Sequence, residues 1–353
     1  MSVVIGWDIG GVHLKAARAE NGRIVAAIQV ASPLRGGLER LVEAFSEAKA
    51  AMGAPDLHAV TMTGELADTF SSRAEGVARL VALAAQALDS APVRFYAGPL
   101  GFVAAKHAAD QTMAIASANW HASAAVVAGR CRDALFIDMG STTTDVVPVL
   151  AGKVVGRGYT DAERLAAGEL VYTGLVRSFL MATADRAPFA GVWTPLVHEN
   201  FANMADVHRI LGTLPEGADQ MTTADGSEKV VAASRARLAR IVGRDASDAD
   251  DAAWTALARW FAEAQMRAVT HAAMLVLSDT LLPPGAPVVA AGAGSGIVQE
   301  IARRLHRSLI AFDSLLDVAP NTREAVSQCA PAAALALLGA GEVERLEPAR
   351  PIP

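Results

Sequence analysis

Cysteine is nearly missing: the 353 residues hold only Cys131 and Cys329, nearly 200 positions apart and outside any CxxC pattern. Neither a disulfide framework nor a structural zinc site can be built from that spacing, because both need clustered ligands. The eight histidines show no HxxxH pair, so no zinc is expected. No GxSxG elbow occurs in a fitting context, which argues against acyl-enzyme hydrolysis. Charge of one sign is not concentrated either. The 37 acidic and 31 basic residues are interspersed, for a net charge of −6, and no basic stripe follows a phosphate backbone, so nucleic acid is not an expected partner. Long hydrophobic runs are also lacking. Val81–Leu88 and Ala330–Leu338 are Ala-rich and too short to cross a bilayer, so they read as core helices and no membrane partner is expected. The chain opens at once on the strand-like run Val3-Val4-Ile5-Gly6-Trp7 rather than on a signal peptide. A cytoplasmic protein with reduced, buried thiols is the expectation. The 16 prolines and 29 glycines follow no fixed period, which excludes a repeat array. With 52% apolar residues, the chain has material for a large core and a length that suits about two domains.

The order of elements repeats. Val3–Asp8, Leu14–Glu20 and Arg23–Val30 read as a meander, the last two joined by the Asn21-Gly22 turn signal. Helices are expected over about 38–52 and 71–88, with strands at 59–62 and 93–96 and a helix at 119–129. A second meander starts about 130 residues after the first, at Ala134–Asp138, Thr144–Leu150 and Lys153–Gly156. Two similar halves follow from that repetition: a first lobe over 1–130 and a second over 131–353. Residues of about 189–251 are rich in Asp, Asn, Gly, Thr and Pro and read as a lid insertion in the second lobe. A helix over 252–277, a strand at 287–291, a helix over 297–305, a strand at 308–312 and a final helix over 325–338 complete the pattern.

Three glycine-bearing turns carry the chemistry. The first is Asp8-Ile9-Gly10-Gly11-Val12-His13-Leu14-Lys15, where a carboxylate ends a strand, two glycines let backbone amides approach a ligand, and a lysine follows seven residues after the aspartate. This suits a magnesium-bound phosphate, and equally suits a plain hairpin. The second is Asp138-Met139-Gly140-Ser141-Thr142-Thr143-Thr144-Asp145, with hydroxyls added. The third, Gly292-Ala293-Gly294-Ser295-Gly296, lies between a strand and a helix and offers an anion a helix N-terminus.

Three such loops in this order resemble the actin, sugar kinase and heat shock protein superfamily, which implies an α/β, actin-like (ribonuclease H-like), duplicated two-lobe fold. Within it, the chain is similar to the hydantoinase A and oxoprolinase branch, and there to the methanofuran-building diphosphate alkyltransferases of tetrahydromethanopterin-linked one-carbon metabolism. The residues behind this are Gly6–Gly11, Thr61-Met62-Thr63-Gly64-Glu65-Leu66-Ala67-Asp68, Ala118-Asn119-Trp120, Phe136–Asp145, Gly168–Gly174 and Asn203–Val207. Arg177-Ser178 departs from the Arg-Thr-Pro expected there.

The resemblance implies ether formation: the phenol of a glutamyl-tyramine or glutamyl-tyrosine conjugate attacks an aminomethylfuran-methyl diphosphate and releases pyrophosphate. On this reading Asp8 and Asp138 hold Mg2+, while Lys15, Gly10, Gly11, His13, Gly140, Ser141, Thr142 and Thr143 hold the diphosphate. Glu65 is the candidate base, with Asp68 on the same face if Glu65 opens a helix; Glu65 can equally complement a helix N-terminus. Asn119 and Trp120 are candidates to bond and stack the substrate, with a core role the other reading of Trp120. Glu169, Tyr172 and Asp206 are candidate contacts to the amine or amino acid part, against the alternative of ordinary helix acids, and Gly292 and Gly294 complete the substrate set. The rival readings are an ATP-dependent small-molecule kinase or an oxoprolinase-type amidohydrolase, with Gly292–Gly296 on adenosine, or a nucleotide-binding filament scaffold. The sequence leaves the oligomeric state open.

Overall fold

An unbroken Val-Val-Ile-Gly-Trp run suits a strand covered on both faces, and β1 (Val3–Ile9) is buried from Val4 onward. In the computed structural model, which describes residues 2–346, it heads a meander with β2 (His13–Glu20) and β3 (Arg23–Ala31). The β2–β3 turn has positive φ at Asn21 (50°) and Gly22 (81°), as a tight hairpin of this hand requires. There follow α1 (Glu39–Met52), β4 (Leu57–Met62), α2 (Arg73–Ala87), β5 (Val93–Tyr96), β6 (Phe102–Ala104), α3 (Thr112–Ile115) and α4 (Asn119–Ala128). The sheet order is β3-β2-β1-β4-β5-β6. β1, β4 and β5 are mutually parallel, and α1 and α2 supply the crossovers that parallel neighbours need. Asp8 pairs in register with Thr61 and Ile9 with Met62, so the carboxyl ends of β1 and β4 lie side by side, where open α/β sheets receive ligands.

The second meander is β7 (Ala134–Met139), β8 (Thr144–Leu150) and β9 (Lys153–Val154). After it come α5 (Asp161–Ala167), β10 (Leu170–Val171), α6 (Leu180–Thr183), β11 (Arg186–Phe189), β12 (Val192–Pro195), α7 (Met204–Leu211), α8 (Val231–Ile241), α9 (Asp251–Asp279), β13 (Val288–Ala291), α10 (Ser295–Arg304) and β14 (Leu309–Ala311). The order of its sheet is β10-β8-β7-β13-β14, with β9 on β8. The region read as a lid has a core of its own: Leu180, Phe189, Met204, Val207, Leu238 and Ile241 pack with Trp254, Leu257 and Phe261 of α9. It starts earlier than residue 189, because α6 and the β11–β12 hairpin belong to the same cluster.

The last elements are α11 (Arg323–Gln328), α12 (Ala330–Leu338) and α13 (Ala340–Leu346). The single helix expected over 325–338 is broken at Cys329, with a bend of 108° across it. Pro331 in the first turn of α12 explains the break, since it has no N–H to donate back to the Ser327 carbonyl and its ring crowds that preceding turn, while proline is tolerated in the first turn of a new helix. α12 lies on β1 so closely that a Cβ at Gly6 would stand 2.0 Å from the Ala332 carbonyl oxygen. Small residues on both partners, Gly6 and the alanines of α12, make that contact possible.

Contacts divide the chain into two units, one holding the residues to Phe136, Val149–Val155 and those from Ile310, the other Ile137–Pro148 and Gly156–Leu309. The sequence reading ran the second lobe from 131 to 353. The structure instead returns the chain to the first unit at Ile310, because the Ala-rich helix buries itself on the first sheet. Met1 and residues 347–353, the extreme ends of the two expected lobes, lie outside the described residues. Among the described residues no single helix is long and apolar enough to cross a membrane. Cys329 is buried, but Cys131 is only half-buried, contrary to expectation.

Candidate active site

In the first unit Asp8 stands directly opposite Lys15 in the antiparallel β1–β2 register. Residues so paired project on the same face of a sheet, which puts the acidic and the basic side chain on one face. Between them the chain reverses through Gly10–His13, closed by a hydrogen bond from the Gly10 N–H to the His13 carbonyl at 2.9 Å. The Gly11 and Val12 carbonyls are taken up by the N–H groups of Leu34 (3.0 Å) and Ser32 (2.8 Å). A Cβ at Gly10 would stand 2.9 Å from the His13 oxygen, whereas one at Gly11 would meet nothing within 4 Å. The first glycine therefore serves the turn, and the second leaves open space in which a ligand can approach the backbone. Asp8 and His13 are buried, at 5% and 4% exposure.

Glu65 adjoins this turn. The Thr63 N–H donates to the Ile9 carbonyl at 2.9 Å, and a Cβ on Gly64 would come within 3.2 Å of the Gly10 oxygen. On the other side α2 presses Gly76 onto the Glu65 backbone, where a Cβ would stand 2.4 Å from the Glu65 oxygen. Glu65 is 1% exposed, and its Oε1 accepts a 2.7 Å hydrogen bond from the Ser117 hydroxyl. Glu65 is thus a buried carboxylate beside the first glycine turn.

In the second unit the turn closes identically, with the Gly140 N–H on the Thr143 carbonyl at 2.9 Å. Leu175 donates to Gly140 (2.9 Å), and Val176 and Arg177 to Ser141 (3.0 and 2.8 Å). Gly174 packs so tightly that a Cβ would stand 2.5 Å from the Thr142 nitrogen. Asp138 is 8% exposed at the end of β7. Gly292, at φ 84°, backs onto it: a Cβ there would be 2.4 Å from Asp138 Oδ1. The Gly294 N–H donates to the Met139 carbonyl at 2.9 Å. These two glycines, expected among the substrate contacts, have a packing task in bracing the end of β7.

Four more expected contacts are placed differently. Asp68 is 85% exposed and pairs loosely with Arg35; Glu65 opens only the short 3-10 turn Gly64–Leu66, with Ala67 extended, so the two acids share no helix face. Trp120 is 3% exposed, edge-on to His121, which makes it a core side chain. Glu169 accepts the N–H groups of Arg157 (2.5 Å) and Gly158 (3.0 Å), so its carboxylate fixes a loop. Asp206 is the N-terminal cap partner of α7; its Oδ1 accepts from Ser234 (2.7 Å), Arg237 (2.8 Å) and Arg209 (3.3 Å), so its charge is already met by two guanidinium groups. Asn119 holds the Trp120 N–H at 2.8 Å, and Tyr172 is 67% exposed beside the second turn.

Two residues escaped the sequence reading. Arg177 extends from the segment docked on the second turn, its Nη1 3.3 Å from Thr142 Oγ1; the available signal was that it keeps the arginine of the expected Arg-Thr-Pro, the departure being at Ser178. Ser117 gave none, since a serine among alanines has no pattern. Asp145 stands seven residues after Asp138 as Lys15 does after Asp8, but it is bound to buried Arg164 at 2.9 Å. Burial pushes the Asp145 carboxyl up from the usual range, and the Arg164 guanidinium pulls it back.

No group of three His, Cys, Asp or Glu arranged to hold a metal occurs among the described residues. That donor set fits magnesium in one way: the ion takes one or two carboxylates, such as Asp8 or Asp138, and fills its other positions with phosphate oxygens and water.

A family model described as hydantoinase/oxoprolinase matches residues 56–311. A (4-{4-[2-(gamma-L-glutamylamino)ethyl]phenoxymethyl}furan-2-yl)methanamine synthase of Methanocaldococcus jannaschii is 30% identical over 247 residues, 69% of this chain and 72% of that one. A synthase of the same name from Methanococcus vannielii is 32% identical over 114 residues, 32% of this chain and 51% of its own length. Among solved structures, nucleotide-free acetone carboxylase superposes with a TM-score of 0.57 at 10% identity, covering 93% of this chain and 70% of that one. The (R)-2-hydroxyglutaryl-CoA dehydratase component A of Acidaminococcus fermentans covers 98% of this chain and 100% of its own, at 14% identity and a TM-score of 0.49.

Proposed function

The chain belongs to the hydantoinase/oxoprolinase family, on the actin-like α/β fold, and from that premise we propose that it is a synthase of the methanofuran type that forms an aryl ether. Its substrates on this reading are a glutamyl-tyramine or glutamyl-tyrosine phenol and an aminomethylfuran-methyl diphosphate. The name of the Methanocaldococcus relative supports the product class, because it describes a phenoxymethyl furan carrying a glutamylaminoethyl group.

The observation that carries the mechanism is the grouping of Asp8, Lys15, the open backbone at Gly11 and buried Glu65 around one turn. An unperturbed phenol has a pKa near 10, so it needs a base at neutral pH, and Glu65 takes its proton. The phenolate oxygen forms a bond to the furan-bound methylene carbon, and the carbon–oxygen bond to the diphosphate breaks with its electron pair leaving on pyrophosphate. The furan ring stabilises positive charge on that methylene, which leaves the departing diphosphate as the costly charge. Lys15 and the turn's amide groups meet that charge with fixed donors. A magnesium ion carried on the diphosphate, held by Asp8, would neutralise the same oxygens as a Lewis acid. The second turn, with Ser141, Thr142 and Thr143, offers phosphate oxygens the same closure.

Incubating the purified protein with the furan diphosphate and glutamyl-tyramine, with magnesium, should give the ether by mass spectrometry and pyrophosphate in equal amount. Calorimetry should show saturable binding of magnesium pyrophosphate and none that depends on adenine. Adenine-dependent binding without ether formation would overturn the reading.

A further inference from the structure

Ser117 has φ 52°, the left-handed region that a serine adopts only at an energetic cost. It is 5% exposed, and nothing in chain reversal demands this conformation of a non-glycine residue. Ala116 before it bridges to Met62 at the end of β4, and Ala118 after it is the N-cap position of α4. The strained residue is thereby held between two fixed points, with its hydroxyl 2.7 Å from Glu65 Oε1. A buried hydroxyl donating to a buried carboxylate favours the ionised form, which is the form a base must have before it takes a proton.

We propose that Ser117 is a positioning residue for the reaction: its hydroxyl orients the Glu65 carboxylate and keeps it ionised, and its backbone strain is retained to aim that hydroxyl. This rests on the reading of Glu65 as the base. The charged and titratable groups on the surrounding elements are Asp8 and His13 on the first turn, Arg73, Glu75 and Arg79 on α2, and His121 on α4. Glu75 is bound to Ser71 and Arg79, and His121 to the Tyr96 hydroxyl at 2.8 Å.

S117G is the informative variant, because glycine adopts this φ without strain and the hydroxymethyl group, with its hydrogen bond, is removed. With magnesium and both substrates, kcat should fall about tenfold while KM for the diphosphate stays within about twofold, and the acidic limb of the kcat profile should move up by about one pH unit, as expected when one charge-assisted hydrogen bond to a carboxylate is removed. S117T, which keeps the hydroxyl, should restore the position of the limb even though a branched side chain at positive φ lowers Tm. An S117G enzyme with unchanged kcat and an unmoved limb would overturn the proposal, and so would an S117T limb displaced as far as that of S117G. E65Q separates the two levels. If E65Q is fully active, the base assignment itself fails; if E65Q is inactive while S117G is unaffected, only the role of Ser117 fails.

Discussion

The Gly10–His13 and Gly140–Thr143 turns share their closing hydrogen bond, down to the same 2.9 Å distance, yet their surroundings have diverged. Seven residues beyond the first aspartate stands Lys15, on the same face as Asp8. Seven beyond the second stands Asp145, whose charge is consumed by Arg164, itself 1% exposed. The cation at the second turn comes from elsewhere, as Arg177 on the segment that supports the turn. Duplication thus preserves the backbone cradle, because backbone closure depends on glycine and register, and leaves the charge at each cradle free to change. The first turn is adjoined by a buried carboxylate; the second is braced by Gly292 and Gly294. On the proposed mechanism one copy is the chemical half and the other an anion holder.

The strongest test of this division is to remove each strand-end carboxylate. Asp8→Asn and Asp138→Asn should each lower kcat/KM by at least about 10^3-fold if each helps hold a magnesium diphosphate, since metal-based charge stabilisation is worth several kcal/mol. Calorimetry with magnesium pyrophosphate should show which variant loses affinity as well. Full activity in D138N would leave the second turn a mere relic of duplication.

The two positions at offset seven should respond in opposite ways. Arg164→Met strands the buried Asp145 carboxyl and should cost about 3 to 5 kcal/mol in denaturant unfolding, with the loss confined to stability. Lys15→Met, at a half-buried position, should change stability by less than about 0.5 kcal/mol while lowering turnover about a hundredfold or more. If K15M unfolds the protein and R164M spares it, the two offsets have been assigned the wrong roles.

Acid should weaken the first unit through one histidine. His58 accepts the Trp7 indole N–H at 3.0 Å, and burial brings its pKa down to about 4. The folded state therefore prefers neutral His58. That preference contributes nothing adverse above the unfolded pKa of about 6.5 and is lost as protonation is forced between pH 6.5 and 4, for up to about 3 kcal/mol. His208, bound to Gln265 at 3.1 Å and also lowered by burial, acts the same way in the second unit. His58→Gln should flatten the acid decline for amides of the first sheet in hydrogen exchange and leave those around α7 unchanged.

Much of this was legible in the sequence, and the reasons differ by element. The meanders and their turns could be read because Asp-x-Gly, Asn-Gly and alternating apolar residues act locally. Asp8 and Glu65 were singled out on a similar basis, Asp8 near the end of a strand with glycine two residues on and Glu65 just after a strand and the Thr63-Gly64 turn, and the structure buries both. The return of α12 to the first sheet was not legible: it depends on Gly6 meeting Ala332 across more than 300 residues, and no local pattern encodes that pairing. Glu169 and Asp206 looked like site acids because sequence shows a carboxylate but not its partners. Asp206 in particular is claimed by arginines from 3 to 31 residues away. Trp120 followed its core alternative because α4 is apolar on most sides, with Ala122, Ala124 and Val127 fully buried beside it.

The smallest effect expected belongs to Arg177, and it bears most directly on how the second turn works. Its backbone N–H already supports Ser141 at 2.8 Å, and its guanidinium is exposed beside Thr142. Arg177→Gln keeps the backbone contact and removes the charge, so the turn should persist. A single exposed cation facing a polyphosphate is screened by solvent, so the loss should be about tenfold in pyrophosphate affinity at low salt and less at 0.5 M, where the Debye length shrinks to a few ångströms. An affinity loss that ignored salt would mean that the guanidinium shapes the turn through Thr142 rather than meeting the anion. No loss at all would assign the anion to the backbone amides and hydroxyls alone, and the divergence of the two copies would then extend to the absence of any cation at the second.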